Sequence, residues 1–140
     1  MSVLRAQVQK HYDAVNRGDM DTAMTVFDPD VEGVTPNGTM NGREALRQLG
    51  DAFIAAAPNQ RLDMVRVVET DDTVVVEGVY SGTHTGALVG PAGTIDASGN
   101  DFAFTFCDVF TFRDGLCVTH HIYWDNMSLL AQLGALPAPA

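Results

Sequence analysis

Cysteine and basic charge are scarce in this chain. Its two cysteines, Cys107 and Cys117, supply neither a disulfide framework nor a thiolate metal cluster, and they read as reduced strand residues. Only 8 Lys plus Arg stand against 18 acidic residues, a formal charge of −10. That sign repels phosphate backbones and anionic bilayers, so neither nucleic acid nor a membrane is expected as a partner. No apolar run approaches the roughly 20 residues that span a bilayer. Met1-Ser2-Val3-Leu4-Arg5 lacks a basic start followed by an apolar run, so no secretory leader is expected and the location expected is cytoplasmic. There is no Gly-rich phosphate loop and no Ser or Cys nucleophile beside a placed base. His120 and His121 are neighbours that point to opposite faces of a strand, which prevents joint ligation. The expectation is therefore no metal and no cofactor.

What is present suits one globular domain. Hydrophobic residues make up 46% and charged residues 19% of 140, enough to bury a real core. The expected unit is residues 1–135, with 136–140 as a loose tail, because alternating Pro and Ala cannot continue a helix. Leu4, Val8, Tyr12 and Val15 form a helical stripe over Val3 to Asn16, stopped by Gly18. Asp19-Met20-Asp21 opens a second helix expected through Phe27 and broken by Pro29. A third runs from Asn41-Gly42-Arg43-Glu44 to about Ala57, before Pro58.

The period then switches to two. Leu62 to Glu69, Thr73 to His84, Asp101 to Phe112 and Leu116 to Trp124 read as strands, with a short early strand near Val31 to Thr35. A short helix, Met127 to Leu133, closes at Gly134. Helices gathered on one face of an antiparallel sheet define an α+β fold.

The strand over 102–112 carries the strongest local signal. Its even positions are Phe102, Phe104, Phe106, Asp108, Phe110 and Phe112, so one carboxyl shares a face with five phenylalanines. Burial of a lone carboxylate is costly and should raise its pKa. With Arg113-Asp114-Gly115 as a three-residue loop, Asp108 is expected to face His120, Phe106 to face Ile122 and Phe104 to face Trp124, apolar against apolar. A two-residue loop would place Asp108 against His121 instead. An Asp–His pair on an aromatic wall could shuttle a proton, anchor a polar ligand, or simply fix register.

Other polar candidates have plainer readings beside the functional ones. His11 borders the stripe of the first helix and could point inward or to solvent. His84, in Gly82-Thr83-His84-Thr85-Gly86, suits a pocket rim or a loop. Asp125 suits a helix N-cap. Thr105, Thr111, Thr119 and Tyr123 lie on the opposite sheet face and suit a mixed-polarity interface.

The stretch His11 to Asp21 resembles the first-helix signature of the nuclear-transport-factor-2-like fold. Gly82 to Gly86, Phe110 to Gly115 and Trp124 to Gly134 are similar to the SnoaL-type branch, Leu129-Leu130-Ala131-Gln132-Leu133-Gly134 most specifically. That resemblance covers Val8 to Gly134. It implies a cone-shaped, strongly curved antiparallel sheet wrapped on N-terminal helices, with an internal pocket and homodimerisation through the sheet. Cyclases of this branch close polyketide rings by aldol chemistry without cofactor or metal. In ketosteroid isomerases, a helix tyrosine and a protonated sheet aspartate bind the enolate oxygen. His11 falls at that tyrosine and Asp108 at that aspartate.

The isomerase base would fall at Thr35 and the cyclase acid/base aspartate at Ile122, neither of them a carboxylate. The resemblance thus implies a cofactor-independent acid–base enzyme of cyclase or isomerase type, acting on an apolar cyclic or polyketide-like carbonyl compound. Asp108, His120 and His11 would be catalytic. Trp124, Phe106, Phe110, Ile122 and Tyr12 would contact the ligand, with His84 and Asp125 beside them. The competing expectation is a non-catalytic small-molecule-binding or dimeric accessory domain. Epoxide opening, which wants two carboxylates bridged by an arginine, fits less well.

Overall fold

The computed structural model describes residues 2–90 and 93–136; of the expected tail, 137–140 lie outside the described residues. Helix α1 spans Val3–Asn16, begun by the Ser2 hydroxyl accepting from the Arg5 N–H and ended at Gly18, whose φ of 75° suits a residue without Cβ. Helix α2 spans only Met20–Met24, capped by the Asp19 carboxylate. It does not continue to Phe27. That residue instead opens strand β1, Phe27–Thr35, where its ring is buried and its backbone pairs with Cys117. Pro29 interrupts strand pairing rather than a helix: β1 pairs with its neighbour at Phe27 and again from Glu32, so the missing N–H has no ladder bond to lose.

Strand β2, Gly38–Asn41, folds back on β1, and α3, Arg43–Ala56, follows. The rest of the sheet is β3, Arg61–Glu69, β4, Thr73–Thr83, β7, Asp101–Arg113, and β8, Leu116–Trp124. A separate pair, β5 (Leu88–Gly90) and β6 (Gly93–Ile95), stands between β4 and β7 in sequence, and α4, Asn126–Gln132, ends the fold. Strand order is β2-β1-β8-β7-β4-β3. The β1–β8 pair is parallel, so the sheet is mixed where alternation alone suggested antiparallel throughout. Among the described residues no helix is long and apolar enough to cross a membrane.

The β7–β8 register differs from the expected one. Asp114 and Gly115 form a two-residue turn with φ of 52° and 81°, the mirror-image geometry whose twist matches the flanking strands. A bulge then slips β8 by one residue between the Phe112–Cys117 and Thr111–Thr119 pairs. Asp108 consequently pairs with Ile122, Phe106 with Trp124 and Phe110 with His120. Asp108 faces neither His120 nor His121. The bulge keeps the apolar side chains of β8 on the inner face after a turn whose parity would have turned them outward.

That inner face is the core. Phe102, Phe104, Phe106, Phe110 and Phe112 are buried against Val74, Val76 and Tyr80 and against Val8, Tyr12 and Val15 of α1. Breaks in pairing near Val65 on β3 and Val118 on β8 bend the sheet. At Gly78 a Cβ would stand 2.5 Å from the Asp63 carbonyl oxygen and 2.5 Å from the Phe106 ring. Phe106 therefore lies directly on the β4 backbone. Gly78→Ala should lower stability by about 1–3 kcal/mol through overpacking, read as a drop of several degrees in Tm; an unchanged Tm would show that the ring does not rest there.

Candidate active site

Between the helices and the inner sheet face is a cavity of about 130 Å³, reached by side chains from α1, α2, α3 and five strands or their ends. An engineered apolar cavity of about 150 Å³ admits benzene, so this one is on the scale of a single ring. Phe53 and Trp124 meet edge to face at 6.1 Å on its wall, and Tyr12 and Phe106 lie 6.0 Å apart across it.

Asp108 is 5% exposed. Its Oδ2 accepts a hydrogen bond from the Tyr12 hydroxyl at 2.5 Å, joining α1 to β7. Its Oδ1 is buried and has no partner among the described residues. Burial pushes the carboxyl up to about 7, opposed in part by the Tyr12 bond. Burial, and then the Asp108 charge, hold the Tyr12 phenol well above its ordinary value, so the shared proton stays on the phenol side. Of the two adjacent residues on α1, it is Tyr12 and not His11 that meets the sheet carboxyl.

The histidines lie deeper among aromatic rings. His11 Nδ1 is 2.7 Å from the Ala23 carbonyl oxygen, an acceptor, so Nδ1 carries the hydrogen and Nε2 keeps its lone pair. Burial lowers His11 to about 4. His120 stacks on Phe110 at 4.2 Å and lies 6.3 Å from His11. Burial, followed by His11, lowers it to about 3, and its Nδ1 has no partner among the described residues. Both rings are neutral at physiological pH.

The fold thus brings seven of the expected residues to one cavity: Asp108, His120, His11, Tyr12, Trp124, Phe106 and Ile122. Three others stand apart. Phe110 is fully buried beneath His11, Tyr12 and His120. His84 is 1% exposed and its Nδ1 holds Ser98, tying the loop before β7 to the end of β4. Asp125 accepts from the Ser128 N–H and caps α4. Thr35 donates to the Gly38 carbonyl oxygen within the β1–β2 turn. Two cavity residues with polar side-chain groups, among others, escaped the sequence reading of the site. Tyr80 shares its face with Val74 and Val76, so strand parity did contain a signal. Gln60 precedes β3 in a connection where no periodicity applies.

The class defined is thus an α+β fold in which a curved sheet is closed by three helices over an apolar cavity with a buried carboxyl–phenol pair at its wall. The family model for SnoaL-like polyketide cyclases matches residues 6–133, and the chain belongs to that family. Solved structures agree on the fold. IdmH, a candidate polyketide cyclase from Streptomyces antibioticus, is 28% identical with a TM-score of 0.78, covering 94% of this chain and 98% of its own. TsrD from Streptomyces laurentii is 26% identical at a TM-score of 0.83, with 96% of each chain covered. A candidate SnoaL-like polyketide cyclase from Jannaschia sp. CCS1 reaches 0.84 at 19% identity, covering 96% of this chain and 94% of its own. No curated protein matches the chain.

The three buried groups give stability a definite pH dependence. Asp108, raised from 3.8 to about 7, favours folding at low pH and loses that contribution as pH rises through 7. His11 and His120, lowered from 6.5 to about 4 and about 3, favour folding above 6.5 and lose it as pH falls. Between about pH 4.5 and 6 the unfolded chain binds two of these protons and the folded chain one. These groups therefore make stability rise with pH by about 1.4 kcal/mol per unit. Asp108→Asn should double that slope, measured by urea unfolding across the window; an unchanged slope would mean the carboxyl is ionised in the folded state.

Proposed function

We propose that the protein is a cofactor-independent acid–base enzyme of cyclase or isomerase type, acting on an apolar, cyclic or polyketide-like carbonyl compound. The observation that carries this reading is the Tyr12–Asp108 pair with its free Oδ1. Tyr12 occupies Oδ2, so the protonated carboxyl presents its hydrogen on Oδ1. A ligand carbonyl placed there receives a hydrogen bond that strengthens as enolate charge develops on its oxygen. A carboxyl poised near 7 is matched to neutral pH and can release and retrieve a proton during turnover. His120 and His11, both neutral, enter as hydrogen-bond acceptors beside the reacting carbon, and Trp124 and Phe106 hold the ring. Family membership supports the chemistry class.

A second reading, a non-catalytic binding domain of the same fold, draws on the low proton affinity of both imidazoles and on Ile122 and Thr35 standing where the family resemblance implies carboxylates. Tyr123 and Thr105, exposed on the outer sheet face, suit a homodimer contact in either case.

Exchange of the α-hydrogens of α-tetralone in D2O, followed by NMR, separates the two readings. The enzyme reading expects protein-dependent exchange that falls about 100-fold in Asp108→Asn, and less in Tyr12→Phe. Ligand binding without exchange, or exchange indifferent to Asp108→Asn, would leave the binding domain as the answer.

A further inference from the structure

The cavity has a second polar end. Gln60 is 5% exposed and Tyr80 7%, and both line the same cavity as Asp108. The Gln60 Nε2 donates to the Val15 carbonyl oxygen at 2.8 Å. A carbonyl accepts only, so the amide orientation is fixed and Oε1 is left as an acceptor, with no partner among the described residues. The Tyr80 hydroxyl is buried and likewise without a partner. Its ring is held by Phe53, Phe102 and Phe104, at 5.6, 5.7 and 5.5 Å, so it does not swing away to find one.

The two groups are close by construction. Leu62 pairs with Tyr80, so Gln60, two residues before Leu62, lies on the same inner face one step further along. A Cβ on Gly82 would be 3.3 Å from the Gln60 Cα. Tyr80 pairs with Phe104, and Asp108 lies four residues further on β7, about 13 Å along the strand. The cavity is thus apolar in its middle and polar at two separated levels.

A buried polar group left unmatched is costly, and here the orphaned Tyr80 hydroxyl stands at the level next to the open Gln60 acceptor, an end of the cavity suited to a group that satisfies both. A ring or enol hydroxyl does so within an otherwise apolar cavity. A hydroxyl donates its hydrogen to the Gln60 Oε1 and accepts from the Tyr80 hydroxyl at once. A carbonyl, ether or halogen leaves the glutamine oxygen unmatched. We infer that the substrate carries a ring or enol hydroxyl that binds between Gln60 and Tyr80, at the far end from the carbonyl held by Tyr12 and Asp108. This rests on the Tyr12–Asp108 assignment for the position of the carbonyl. The substrate class is then a hydroxylated, enolisable ring compound with oxygens at both ends.

Calorimetric binding of naphthalene-2,6-diol and 4,4′-dihydroxybiphenyl, each against its monohydroxy parent, tests the inference. At least one diol should bind wild type tenfold or more tighter than its parent. That ratio should fall toward one in Tyr80→Phe, which removes a single unbonded oxygen and should not lower Tm, and in Gln60→Met. Equal affinity of diol and parent for wild type, no binding of either, or a ratio preserved in both variants would overturn it. The parent phenols report separately on the other pole: their indifference to Asp108→Asn would sink the catalytic reading while the diol ratio still decides this one.

Discussion

One hydrogen bond ties the molecule together chemically: the Tyr12 hydroxyl on the Asp108 carboxyl. It is made in a place where neither partner can turn to water, and it joins the first helix to a central strand of the sheet. Because burial acts on both groups, the phenol keeps its proton at neutral pH while the carboxyl is brought to about 7. The cavity around it follows from the same contact. Tyr12 reaches the sheet because α1 lies along the inner face, and bulges in β3 and β8 bend that face.

The histidines illustrate how burial alone decides character. Each sits among aromatic rings, and His120 gains a second imidazole as neighbour but no carboxylate. Without an opposing charge, desolvation lowers both. A proton carrier at neutral pH requires a partner that stabilises the cation, and the slipped register withholds one. The aspartate, not the imidazole, is left as the group matched to neutral pH.

Asymmetry within the cavity is the other consequence of the architecture. Proton-bearing groups collect where α1 meets β7, and unbonded oxygens where the connection into β3 meets β4. Aromatic rings fill the span between. On the reading proposed above, such a layout would select for length and for polar groups at both ends, in addition to apolar area. It also gives a physical role to Gln60, a residue with no periodic or motif signal, and to a tyrosine that otherwise reads as one more apolar position in a strand.

Much of this was fixed locally. The helical stripe from Leu4 to Val15, the alternation over 102–112, the Gly stops and the Asp125 cap are determined by neighbours a few residues away, so composition and spacing were enough to place them. The carboxyl in a row of phenylalanines announced a buried acid for the same reason. What the chain order could not contain was contact across distance. A turn one residue shorter than expected and a one-residue bulge in β8 together moved Asp108 from His120 to Ile122, and such slips cost little locally while changing every cross-strand partner beyond them. Phe27 left its helix because a strand from the far end of the chain offered it pairing. Tyr12 became the partner of Asp108 through a separation of 96 residues, which only the packing of helix on sheet could close.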